Sequence, residues 1–251
     1  MTSKRNNVFS KIMKMHYWKL TYRSLLFLSA CVIYIYNKIR NTGSAFGGFE
    51  ENPVILAAIW TIYAVEMVLR FIPSSFESMG CQKQFKNNYH PTGIPKEQAE
   101  LLSPLRTFLV LAAWVALTGA IGLLYHFNII DEGILLLISL AYSVCDLICI
   151  LFFCPFQTWF MKNRCCCTCR IYNWDFAMMF TPLIFVKTLF AQSLVFLSLA
   201  LLIRWEYTLH RHPEYFSEKT NHALSCANCQ EKLCHHKTQL KSFWKRQKNL
   251  L

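Results

Sequence analysis

"TFLVLAAWVALTGAIGLLYHF" occupies residues 107–127, and "GILLLISLAYSVCDLICILFFCP" follows at 133–155 after the polar turn "NIIDE". The two stretches carry one formal charge between them, Asp146. A helix rises 1.5 Å per residue, so about 20 apolar residues cross the roughly 30 Å hydrocarbon layer of a bilayer. Both stretches meet that length, and the tight turn makes them an antiparallel membrane hairpin. Ala112, Ala116, Gly119 and Ala120 form a small-residue stripe that would admit a neighbouring helix closely.

Working outward, "PVILAAIWTIYAVEMVLRFI" (53–72) is a further apolar run, with Pro53 suited to a helix start. "SLLFLSACVIYIY" (24–36) is shorter, and about 20 Å long as helix. It spans only if Trp18 to Arg23 join it and the cations snorkel to the interface. Residues 176–205 form the last apolar stretch, broken by Pro182 and Lys187. The expected fold is therefore an all-α, polytopic integral membrane bundle of about five apolar segments, covering 24–205. A basic segment, 1–23, precedes it, and a polar Cys/His-rich tail, 206–251, follows. A polar stretch, 73–106, with Pro73, Pro91, Pro95 and Pro104, interrupts the bundle and excludes a long helix there. "LSAC" at 28–31 resembles a lipoprotein cleavage box, but the apolar run continues past Cys31 and the leader is long for a signal peptide.

Composition agrees with lipid as the main partner. The chain is 54% hydrophobic and 16% charged, against about 25% charged in an average soluble domain. The net charge of +12 raises nucleic acid as a partner, but no nucleic-acid module is present, so none is expected. Basic residues beside spans mark the cytoplasmic side. Residues 1–23 hold six Lys or Arg, 37–52 two, 73–106 four, 128–132 none and 156–175 three. This alternation places the N-terminus in the cytoplasm, with the plasma membrane as the expected location. The tail holds eight after residue 206, so charge wants it inside, whereas a fifth simple crossing would put it outside. A fold-back near Lys187 resolves the conflict; an ordinary span over 183–205 with an external tail is the alternative. Length favours the ordinary span, since each half of a hairpin is short for a layer of roughly 30 Å; charge and cysteine pairing favour the fold-back, which is the reading taken.

Seven of the twelve cysteines lie in two tight groups, 165–169 and 226–234. Cys166-x-x-Cys169 and Cys226-x-x-Cys229 form two knuckle-type pairs, the donor set that tetrahedral zinc takes. Cys234 and Cys165 add thiolates, and an iron–sulfur cluster would use the same donors. The expected function is a cysteine-ligated metal centre at the membrane surface with a redox or electron-transfer role. A transporter or channel with a structural zinc, and a non-catalytic subunit beside membrane partners, are the rivals.

Ionisable residues inside apolar segments are costly and so mark candidate sites. Glu66, Asp146 and Lys187 are these. Glu66 is spaced to pair with Arg70, and Asp146 to face Lys187 across the bundle. Cys145, Cys149 and Cys154 are expected mainly as small apolar residues; a quinone-linked thiol pair is the sharper alternative, weakened because helical thiols four apart are poorly placed to join. Glu206, His210 and His222 are a weaker metal set. Asp175 reads as the start of the last helix and Trp174 as an interface anchor. No nucleotide-binding glycine motif, serine elbow or H-E-x-x-H is present.

Overall fold

The computed structural model describes residues 10–40 and 53–238, apart from positions 76, 102, 164, 230 and 235. The glycine-rich loop expected before residue 53, the start of the basic segment, His235 and the end of the tail lie outside these. The regular structure among the described residues is α-helix with short 3₁₀ and π turns, joined by irregular stretches and one isolated β-bridge, Pro91 with Asn221. The helices are α1 (Lys11–Ile39), α2 (Pro53–Leu69), α3 (Met79–Gln82), α4 (Pro104–His126), α5 (Glu132–Leu151), α6 (Asp175–Phe180) and α7 (Leu189–Arg211).

Helix starts follow capping chemistry. Ser10 accepts a hydrogen bond from the Met13 N–H at 3.1 Å and Asp131 from that of Ile134 at 2.9 Å. Thr188 accepts from Ala191 at 3.3 Å. Each satisfies a first-turn donor left without a partner inside its helix. Proline opens α2 and α4, where its missing N–H costs nothing.

Three helices among the described residues, α4, α5 and α7, are long and apolar enough to cross a membrane. This corrects the expected five. Helix α2 has 17 residues. Helix α1 has 29, but four cations, Lys11, Lys14, Lys19 and Arg23, occupy its first half. Large apolar side chains face outward along the helices, among them Leu25, Val32, Phe108, Val115, Phe196 and Ile203. Lipid is the solvent such a face suits.

Helix α1 runs antiparallel to α5: Met13 packs with Leu147 and Leu151 at one end, and Tyr34 hydrogen-bonds Asp131 at 2.8 Å at the other. The expected α4–α5 hairpin is splayed. Helix α4 packs instead on the 3₁₀ turn Thr181–Phe185, which follows α6. A Cβ on Gly122 would lie 2.4 Å from the Phe185 ring, so this glycine makes the approach, whereas Gly119 of the predicted stripe faces open space.

The last apolar stretch folds back. Helix α6 and its 3₁₀ turn descend together about 19 Å, the chain turns at 186–188, and α7 returns. Its end comes level with its beginning: Glu206 accepts from Trp174 Nε1 at 2.8 Å and pairs with Arg170 at 2.9 Å. Phe176, Phe180 and Leu183 of this descending arm are buried at the centre of the bundle. The fold-back leaves the 156–174 loop, the polar 73–103 stretch, the start of α1 and the residues after α7 on one face.

Residues 206–238 form no separate cysteine-rich tail. The Asn221 side chain is fully buried, accepting from the His90 N–H and donating to the Tyr215 carbonyl, while Thr92 N–H donates to Thr220 O. Glu231, also buried, accepts from Ser78 Oγ at 2.8 Å and Met79 N–H at 2.5 Å, and its carbonyl accepts from Ser10 Oγ. Tyr17 reaches His236 at 2.8 Å. Each contact removes a polar group from water with its partner in place, which is what makes burial tolerable.

Candidate thiol sites and a buried charge network

Two thiol assemblies and one charge network occupy this face and the bundle beneath it. The cysteine loop is pinned from below by Lys83, fully buried, whose Nζ donates to the carbonyls of Cys167 at 2.7 Å and Cys169 at 2.9 Å. The rings of Trp205 and Phe216 lie within 5.4 Å of the ammonium, a cation–π arrangement that offsets part of its lost hydration. Burial pulls the Lys83 ammonium down to about 8.

In the first assembly the loop meets the returned tail. The Cys165 thiol lies against those of Cys167 and Cys234, and Cys167 also lies against Cys229. The sulfurs thus form a chain of contacts, Cys234, Cys165, Cys167, Cys229. Hydrogen bonding with Cys167 and then Cys234 holds Cys165 well below the ordinary thiol range, and the one Cys167 proton, shared with Cys229, brings that thiol down to about 6. Cys226 is exposed on the rim of the same groove, beside His222. Among the described residues, no group of three or more Cys, His, Asp or Glu side chains is arranged to hold a metal ion.

Of the predicted ligands, Cys165, Cys229 and Cys234 are therefore together, and Cys226 is adjacent. Cys166 and Cys169 turn the other way and line a cavity of about 150 Å³ between α4, α5 and α6. The Cys166 thiol donates to Gln157 Oε1 at 3.0 Å. Burial raises Cys166 to about 11 and Cys169 to about 12. Cys167 was not among the expected ligands. Its signal is the two-residue spacing from Cys165, which sets alternate side chains on one side of a non-helical segment. Cys145, Cys149 and Cys154 line the same cavity as Cys166, and Cys149 lies against Cys154.

The charges expected inside apolar segments pair differently from expectation. Arg23 of α1, 1% exposed, reaches across to Glu66 of α2 in a short ion pair and to Asp146 of α5 at 3.6 Å. It also donates to Ser143 O at 3.1 Å and lies over the Tyr63 and Phe176 rings. Arg70 pairs with Asp175 at 2.7 Å and Asn173 at 3.0 Å rather than with Glu66. Asp146 meets Arg23 rather than Lys187, which is exposed in the turn before α7. Spacing along one helix cannot disclose these partners, because a buried charge takes whichever opposite charge the packing brings nearest. Glu206 is engaged by Arg170 and Trp174, and His210 is exposed, so the set with His222 is not assembled.

Comparison with protein-family models, curated proteins and solved structures finds no match to this chain.

Proposed function

We propose that this is an integral membrane protein whose cysteine loop and tail are clasped by one zinc ion, with Cys165, Cys167, Cys229 and Cys234 as thiolate ligands. The observation that carries this is the contact of thiols from two distant segments, Cys165 with Cys234 and Cys167 with Cys229. Four thiolates from two short segments are the donor set of structural zinc sites, in which the metal contributes folding energy outright. The ion would replace the thiol protons and draw the paired sulfurs around one centre. It would fix the tail over the loop, with Lys83 and Glu231 already holding the two backbones in place.

Elemental analysis of the full chain, purified in detergent without added metal, tests this. One zinc per chain is expected from a colourless protein. The Cys165→Ser, Cys229→Ser double variant is expected to lose it while remaining monodisperse. Absence of metal would overturn the proposal. Iron with a visible absorption band would replace zinc by an iron–sulfur cluster on the same thiols.

A further inference from the structure

The cavity beneath the cysteine loop is a second thiol site, unused by the zinc clasp. Its volume is about 150 Å³. An apolar cavity of that size holds a single six-membered ring such as benzene. Its walls are largely aromatic and apolar, with Trp114 from α4, Tyr142 and Ile150 from α5, and Met179 from α6. One edge reaches the outer surface of the bundle: Cys145, which lines it, is exposed on α5, a helix apolar enough to cross a bilayer. The splay of α4 from α5 creates this edge. A ring trailing an apolar chain would enter from lipid at this edge, where Asp146 lines the wall next to Cys145.

At the polar end of the cavity Cys149 and Cys154 lie against each other. Helix α5 ends at Leu151, so Cys154 is free of helical spacing and turns back on Cys149. That removes the geometric objection to a thiol pair on one helix. Cys154 Sγ accepts from the Gln157 N–H at 3.3 Å. Hydrogen bonding from Cys149 draws Cys154 down to about 6, the direction expected of an attacking thiolate. Lys237, from the tail, adds a cation beside these sulfurs: its Nζ donates to Cys149 O at 3.0 Å and lies 3.3 Å from Cys166 Sγ.

We propose that this cavity binds the ring of a lipid-soluble quinone and that Cys149 and Cys154 are the dithiol it oxidises. The Cys149 S–H bond breaks, the proton that Cys154 has given up as a thiolate returns from the medium, and one S–S bond forms. The two electrons and two protons pass to the two quinone oxygens, giving the hydroquinone. Asp146 and Asp175 line the cavity, each tied on its far side to an arginine, Arg23 and Arg70. They are groups through which the protons could move. The site shares no cysteine with the zinc clasp, although Lys237 reaches it from the clasped tail, so metal content and quinone reduction are read separately on each sample.

The test uses the full chain in detergent, reduced and freed of reductant under anaerobic conditions, with a short-chain ubiquinone analogue as the probe. Expected are one hydroquinone formed per chain, the loss of two free thiols, and a Cys149–Cys154 disulfide in the peptide map. Cys154→Ser and Cys149→Ser should each abolish the reaction, and Cys31→Ser, on α1 and away from both thiol sites, should retain it. Zinc content measured on the same samples shows whether the clasp is intact in each variant. Retention of all free thiols with the quinone unreduced would overturn the proposal. So would a disulfide confined to other cysteines, or undiminished reaction in Cys154→Ser.

Discussion

Replacing Arg23 with methionine is expected to cost about 3–5 kcal/mol of folding free energy, the range for removing one partner of a buried charge pair. The guanidinium is enclosed by α1, α2, α5 and α6, touching Glu66, Asp146, the Ser143 carbonyl and two aromatic rings. Methionine keeps much of the side-chain volume, so the loss is chiefly electrostatic. It leaves Glu66 and Asp146 buried with no cation between them. Unfolding in mixed micelles measures the change. The triple variant Arg23→Met, Glu66→Gln, Asp146→Asn removes the stranded charges and should recover most of it, because the three side chains act as one network. A single-variant loss below about 1 kcal/mol, the scale of an exposed pair, would show that Arg23 does not hold these helices together.

The second large effect concerns the clasp. Structural zinc contributes about 10–16 kcal/mol to the folding of small zinc peptides. Here the tail also has the anchors Asn221, Glu231 and Tyr17–His236, so removing the metal should open the tail locally and leave the bundle folded. Proteolysis by local opening follows the population of the open state. A chelator, or Cys229→Ser, should therefore speed tryptic cleavage at Lys219 and Lys232 by at least about tenfold, equivalent to about 1.4 kcal/mol. Cleavage within α4, α5 and α7 should stay unchanged. An unaltered rate at both lysines would mean that no metal holds the tail.

The membrane helices were legible because length and charge alone define them: α4 and α5 begin and end close to the runs read from the sequence, while α7 takes up only the second half of the run 176–205 and continues to Arg211. The excess in the expected count has specific causes. The run 24–36 is the second half of α1, whose first half carries cations that burial and ion pairing accommodate, with Lys19 meeting Glu77 at 2.9 Å. The run 53–72 forms α2, which is only 17 residues long, whereas the run 176–205 still supplies one span, α7, after the chain turns at 186–188. The thiol sites were legible as clusters but not as ligand sets. C-x-x-C spacing selects Cys166 and Cys169, whereas a turn closed by the Cys169 N–H on the Cys166 carbonyl presents Cys165 and Cys167 to the tail. Arg23 read as an interfacial cation because its acidic partners come from α2 and α5, and no local pattern encodes that meeting.

The central claim is that the cysteine loop and the tail share one face because α6 and α7 fold back. Labelling sealed vesicles of known orientation with a maleimide that cannot cross the membrane tests it most directly. The reporters are the exposed Cys226 in the tail, Lys162→Cys beside the loop and Ile129→Cys in the opposite turn, each located by peptide mapping. Cys226 and the Lys162→Cys reporter are expected to label from one side and the Ile129→Cys reporter only from the other. Labelling of Cys226 from the same side as the Ile129→Cys reporter would contradict the fold-back, and with it the shared site.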